Sequence, residues 1–310
     1  MDLSFFTQAK TFFDFGLNQS FDGLPPVLQN IITHTGSENL TALFAALWRD
    51  IDPAWDINLC DLSGHGYDMD VDQKILSIDS KGLLPDQALS SSYFAPQILL
   101  SLIEGIRMVR HVEWLDNALE RYHPESIVKI GRICVADSVS QTISVAWHGR
   151  GQGCDAMWKH LLCGMHSDMA QCFDRVMERG LSQGGDESDV LTEALEMTFR
   201  TWFTDEDRVV RCDHDSLNVM DELLNDEIEI GFKHIEQASI VCLTLQVGGN
   251  VTYLCRDVLR DMMRNPFYGA IDSLINQTHL MQIIRDTKIN EVAGIPFRDI
   301  DLASRFMMID

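Results

Sequence analysis

Basic side chains are scarce in this chain: 24 Lys and Arg stand against 47 Asp and Glu, a formal net charge of −23. A field of that sign repels a phosphate backbone over any surface lacking a local basic patch, so nucleic acid is not an expected partner. Long apolar runs are also missing. No window of about eighteen residues is apolar and uncharged throughout, and Met1-Asp2-Leu3-Ser4-Phe5-Phe6 has no basic stretch ahead of an apolar one. Neither a membrane span nor an export signal is therefore expected. The eight cysteines (Cys60, Cys134, Cys154, Cys163, Cys172, Cys212, Cys242 and Cys255) lack paired spacing. With no export signal, this points to a reducing cytoplasm and to thiols that are mostly free and are buried. The chain also lacks a Gly-x-Gly-x-x-Gly between strand and helix, a phosphate-binding Gly-x-x-x-x-Gly-Lys, a Gly-x-Ser-x-Gly elbow and a Cys-x-x-Cys. Nucleotide, flavin, α/β-hydrolase and zinc-ribbon chemistry fall away with them.

What is present is a globular composition: 310 residues with 45% hydrophobic, 23% charged and 8% aromatic residues. That length supports a hydrophobic core without disulfides. An N-terminal helical segment over residues 1–55 and a main domain over 56–310 are expected, or one continuous domain over 1–310. Pro25-Pro26 lets a helix begin near Pro26, and Thr35-Gly36-Ser37 reads as a cap between two helices. Partial alternation through Gly64–Asp79, with polar Val71–Lys74 at its centre, predicts a β-hairpin whose alternating Asp68, Asp70 and Asp72 face solvent. Ser90-Ser91-Ser92 caps a helix from about Tyr93 through Leu119, and a second runs from about Pro124 to Trp147. Further helices are expected over Ala156–Leu162, Asp168–Gly180, Ser188–Phe203, Val251–Arg264 and Asp272–Ile284, with a loop at residues 182–186. The fold class is mainly α (α+β). Between Asp186 and Glu229, fifteen acidic residues face three arginines, which makes one solvent face strongly negative.

The most informative segment is Leu102–Trp114, where Glu104, Arg107, His111 and Trp114 stand three to four apart and share one helical face. A gluzincin-type site uses His-Glu-x-x-His, two imidazoles one turn apart with a glutamate positioning water. That register here reads Arg107-Met108-Val109-Arg110-His111, so only the second histidine is present. One imidazole cannot hold a catalytic zinc that needs three protein ligands. A rescue draws on Glu104, one turn earlier, and on Asp137 from the next helix. The competing structural reading pairs Glu104 with Arg107 and leaves His111 as a hydrogen-bonded, partly buried residue. A second metal candidate gathers Cys154, His160, Cys163, His166, Asp168 and Cys172, against which core thiols are the simpler account. In Cys212-Asp213-His214-Asp215 an aspartate reads as a helix N-cap rather than part of a Cys-His nucleophile.

With these residues in view, the chain resembles a bacterial family, found largely in alphaproteobacteria and described as a metallopeptidase domain of unknown function. The resemblance rests on Gly66-Tyr67-Asp68, Ser92-Tyr93-Phe94, Arg110-His111-Val112, Ala136-Asp137 and Val145-Ala146-Trp147. It continues in Ala194–Phe203, Arg208-Val209, Asp213–Leu217 and Gly294–Asp299. It implies a zincin-like arrangement of an edge hairpin beside an active-site helix, with zinc held at the end of that helix. Only His111 matches the family's ligand positions; Arg107 and Met108 depart from them. The expectation is a metallopeptidase-like protein that has lost hydrolytic competence, keeping a cleft near Glu104, Arg107, His111 and Asp137 for a peptide or small ligand. Two alternatives stand beside it: an acidic scaffold or adaptor for a protein partner, and an active metal-dependent hydrolase using Glu104, His111 and Asp137 as a non-standard ligand set.

Overall fold

In the computed structural model, the residues described are 24–35, 44, 47, 54–115, 121–150, 155–225, 230–231, 233–234, 241–246, 252–287, 291–292 and 295–296. The chain divides into two compact units. The first comprises Met1–Trp114, Ala136–Trp202 and Thr244–Tyr253; the second comprises Leu115–Val135, Phe203–Leu243 and Leu254–Asp310. The fold is mainly α with a small three-stranded sheet, the expected class.

The first unit opens with helix α1 (Pro26–Thr35), whose proline occupies the first helical position as predicted. Strands β1 (Asp56–Cys60), β2 (Tyr67–Asp70) and β3 (Ile75–Asp79) form a sheet in the order β1-β3-β2. β2 and β3 make the expected antiparallel hairpin, with Asp70 opposite Ile75. β1 adds a parallel edge, with Asp56 opposite Ile75 and Cys60 opposite Asp79. Asp68 and Asp70 face solvent, while Leu76 and Ile78 are buried. After the short helix α2 (Pro85–Ser90), α3 (Phe94–Trp114) starts where the Ser91 hydroxyl accepts the Phe94 N–H at 3.0 Å, so the predicted serine cap is real. Ile98, Leu99, Leu102, Ile103, Ile106 and Val109 form its buried face. Gly105 lets α3 lie close on the sheet: a Cβ there would stand 2.9 Å from Leu76 Cδ1 and 3.3 Å from Tyr67 Cγ.

Helix α4 (Pro124–Gly149) follows, its first half in the second unit and its second half in the first. Two of its buried hydroxyls are satisfied along the helix itself: Ser140 donates to the Ala136 carbonyl at 2.7 Å and Thr142 to the Ser138 carbonyl at 2.8 Å. α5 (Asp155–Cys163), α6 (Ser167–Ser182) and α7 (Glu187–Trp202) complete the unit. The turn between α6 and α7 carries Gly184 at φ 78°, a left-handed conformation that favours glycine, in the predicted loop.

The second unit is built on α8 (Glu206–Asn225), α9 (Arg256–Arg264), the single turn α10 (Pro266–Gly269) and α11 (Leu274–Asp286). Glu291–Val292 and Ile295–Pro296 pair as an antiparallel ribbon, β4 and β5. Ile127, Val128, Leu217, Met220, Ile230 and Ile283 make an apolar core. Beside it runs a buried ion pair. Arg132 donates through Nε and Nη2 to both Asp213 carboxylate oxygens at 2.6 and 2.7 Å, and reaches the carbonyls of Tyr268 and Ala270.

That pair corrects one expectation. Asp213 is no N-cap: it lies inside α8, which begins at Glu206, and is held there by Arg132. The helix predicted from Val251 begins at Arg256, because Thr252 is bridged to Leu245 and Tyr253 N–H donates to the Thr244 carbonyl. Val241–Thr244 forms a 3-10 turn. The six described cysteines are free, but only Cys134 and Cys212 are buried, whereas Cys163 and Cys255 are exposed. The junction at Gly36-Ser37, residues 151–153, Cys154 and residues 297–310 lie outside the described residues. Among the described residues, no helix is long and apolar enough to cross a membrane.

Removing one member of a buried pair strands the other charge. Arg132→Met is expected to cost about 3–5 kcal/mol in urea unfolding, and the double variant Arg132→Met/Asp213→Leu to recover most of it. Equal loss in both would mean that packing, not charge, is what Arg132 supplies.

Candidate functional site

Helix α3 presents two polar positions, two turns apart, that meet opposite fates. At its C-terminal end His111 is buried, and its Nε2 lies 2.8 Å from Asp137 Oδ2 on α4. Arg107, one turn earlier, donates through Nε to the same oxygen at 2.6 Å and through Nη2 to the Leu245 carbonyl at 2.5 Å. Tyr253 completes the group: its hydroxyl donates to Asp137 Oδ1 at 2.7 Å. Burial alone would push the Asp137 carboxyl up, but the Arg107 charge and the His111 hydrogen bond outweigh it and hold the group below the ordinary carboxylate range. The His111 imidazole is shifted down by burial, with Arg107 and Arg110 adding to the effect against the pull of Asp137. An ionised carboxylate only accepts, so the neutral ring carries its proton on Nε2. Burial and the neighbouring Asp137 charge push the Tyr253 phenol well above its usual value.

Of the three residues proposed as a metal set, the structure brings His111 and Asp137 together and leaves Glu104 apart. Glu104 precedes His111 by seven residues, about 10 Å along a helix axis. It has no hydrogen-bond or ion-pair partner among the described residues. The expected Glu104–Arg107 pair does not form, because Arg107 turns to the fully buried Asp137, where its charge is needed. His111 is correspondingly more buried than expected. Among the described residues, no three His, Cys, Asp or Glu side chains gather in a group that could hold a metal ion, and this includes His160, Cys163, His166, Asp168 and Cys172.

The donor set can be tested against a zinc ion. Both oxygens of Asp137 already accept hydrogen bonds, and the proton-bearing nitrogen of His111 points at the carboxylate. A cation bound between them would have to expel a guanidinium and then stand next to it. His111 and Asp137 do not fit zinc.

Glu104 opens instead into a cleft of about 290 Å³. Gln97, Leu100, Ser101 and Glu104 line it from α3, Val139 and Thr142 from α4, and His160 and Leu161 from α5; Lys81 and residues 164–166 close the rim. Burial pushes the Glu104 carboxyl up to about 7. Gln97 Nε2 lies 2.8 Å from His160 Nε2, and burial together with the Lys81 charge shifts His160 down. The neutral ring accepts the Gln97 amide proton. Lys81 is tethered by Asp79 at 2.8 Å. The Asp79 carboxylate also accepts the N–H groups of Leu62, Gly64 and Lys81; burial would raise its pKa, but the Lys81 side chain, with the backbone N–H groups of Lys81 and Leu62, outweighs that and keeps it below the usual range.

Sequence reasoning missed Gln97, Ser101, Thr142 and Tyr253. The first two carry a readable signal, since residues 97, 101 and 104 are spaced four and three apart along one helical face. Tyr253 carries none; 116 residues separate it from Asp137.

The sequence profile of a family described as "Putative metallopeptidase family (DUF6782)" matches residues 106–224. The chain is similar to that family over this stretch. The match begins inside α3, takes in Arg107, His111 and Asp137, and ends near the last turn of α8. Tyr253, Glu104 and the strands lie outside it. No curated protein and no solved structure matches the chain.

Two outcomes are expected. Tyr253→Phe removes one hydrogen bond to a buried charge and should cost about 1.5–3 kcal/mol in denaturant unfolding. For Glu104 the folded pKa stands above the unfolded one, so its contribution is complete at low pH and is lost as pH rises from about 4.5 to about 7. Glu104→Gln should therefore gain on the wild type by about 1–3 kcal/mol across that window. A constant difference from pH to pH would contradict this assignment.

Proposed function

We propose that this is a metallopeptidase-like protein that no longer hydrolyses peptides through a zinc ion on its central helix and that works instead by binding a peptide or small ligand in the Glu104 cleft. One observation carries the reading: Asp137, the nearest carboxylate to His111, is fully committed to Arg107, His111 and Tyr253. A zinc centre needs three protein ligands with free lone pairs and one open position. In their place stands a neutralised, hydrogen-bonded cluster of the kind that fixes the packing of two helices. Arg107 is what separates the two chemistries. It occupies the first histidine position of the His-Glu-x-x-His register, and its charge answers Asp137.

The cleft has the properties of a binding site. It has apolar walls from Leu100, Val139 and Leu161, a few polar groups of fixed orientation, and a carboxylate without a counter-charge.

The test is metal content and hydrolysis measured on the same preparation. Untagged protein should contain zinc well below one equivalent, with no difference between the wild type and His111→Ala, and should leave a mixed peptide library uncut with or without chelator. Stoichiometric zinc lost on His111→Ala, or cleavage abolished by chelation, would restore an active hydrolase with an unusual ligand set.

A further inference from the structure

The polar groups of the cleft include donors, among them the Ser101 hydroxyl, the Lys81 ammonium and the second Gln97 amide proton, but its one carboxylate stands without a counter-charge among the described residues. Thr142 gives its hydroxyl proton to the Ser138 carbonyl, so toward the cleft its oxygen can only accept. Gln97 spends an amide proton on His160, which leaves its carbonyl oxygen as an acceptor. The Glu104 carboxylate accepts, and nothing among the described residues donates to it. The one lysine at the rim, Lys81, is held by Asp79. The wall thus offers three kinds of acceptor, one of them a carboxylate, beside the apolar side chains of Leu100, Val139, Leu161 and Met165.

We propose that the cleft receives a primary ammonium group on a short aliphatic stem, with Glu104 as counter-ion and the Thr142 hydroxyl and Gln97 carbonyl oxygens as further acceptors. An ammonium has three N–H donors and no acceptor, so it can answer the unpaired carboxylate and both neutral oxygens at once. The stem covers Leu100, Val139 and Leu161, and Met165, 65% exposed at the rim, can fold over it. A carboxylate or phosphate ligand would instead meet Glu104 with like charge in a partly desolvated site. A lysine side chain of a peptide and a free alkylamine present the same chemistry. The inference deepens the binding role proposed above and depends on the cleft, not on the state of His111.

Pairing with a cation favours the ionised carboxylate, so binding should release a proton near neutral pH and weaken on acidification. The other titratable groups facing the cleft are His160 and His166, at the end of α5 and in the turn beyond it, and Lys81 from the loop after β3; α4 contributes none. Protonation of either histidine also opposes a cation, so the pH dependence is separated from them by the Glu104 variant.

The experiment is calorimetric titration of the full chain with n-pentylammonium, with Nα-acetyl-lysine methylamide and with valerate, at about pH 8 and about pH 5.5. Both amines should bind at the higher pH, roughly tenfold or more weakly at the lower one, and valerate not at all. If only the acetyl-lysine amide binds, a peptide side chain is the source; if only pentylammonium binds, a free amine is. Glu104→Gln should abolish amine binding at both pH values while keeping the wild-type circular dichroism, and the isosteric Thr142→Val should weaken it severalfold. Should Glu104→Gln fail to fold, Thr142→Val decides. Amines that do not bind the wild type, or that bind both variants unchanged, would overturn the inference. Tighter binding of valerate would overturn the ammonium assignment while leaving the cleft a ligand site, and zinc-dependent hydrolysis would sink the wider reading without touching this one.

Discussion

A carboxylate shut away from water must find its counter-charge and its hydrogen-bond donors inside the protein, and Asp137 imposes that requirement on the first unit. Arg107 and His111 from α3 meet it on one oxygen, and Tyr253 meets it on the other. Because Arg107 also reaches the Leu245 carbonyl, the same guanidinium fixes the segment that carries Tyr253. Two helices and a remote turn are thus registered by a single negative charge. Gln141 and Gln246 extend the network, the former to the Leu245 carbonyl and the latter to Thr192 on α7.

The contrast with Glu104 gives the site its meaning. Both carboxylates lie within the same unit and suffer desolvation, but one is saturated with partners and pulled down, and the other is left alone and pushed up. One acid is fully stabilised and its neighbour is left facing a cavity, and the proposed binding role rests on that division. The sheet supports that division. Gly105 brings α3 down onto Leu76, and Asp79 organises the loop that carries Lys81, so the cleft wall is positioned by groups that do not line it.

The helices were legible because their apolar residues recur at three and four. Phe94–Trp114, Pro124–Gly149 and Ser167–Ser182 stand close to where the periodicity puts them, and the serine cap at Ser91 is where a cap residue is expected. The hairpin was legible through its turn. The parallel pairing of β1 with β3 was not, since a five-residue strand carries no mark of its partner. The site was half legible: spacing on one helix drew attention to Glu104, Arg107 and His111, and Asp137 was named as the carboxylate of the next helix. What spacing cannot convey is which partner a charge selects. Arg107 had an acid one turn before it and another on the neighbouring helix, and the deeper burial of Asp137 decided between them. Asp213 teaches the same lesson, since a residue type that favours helix starts was retained mid-helix by Arg132.

Arg107 also constrains the routes by which this sequence could change. Putting histidine at that position, the first move toward a two-imidazole grip, would strip Asp137 of its permanent cation before any metal could be gained. The intermediate would carry a stranded negative charge in the interior and would pay in stability for a chemistry it does not yet possess. Substitutions on one helix and in the turn bearing Tyr253 would have to arrive together. Each bond that steadies the helix pair thus also raises the cost of placing a metal ligand at position 107.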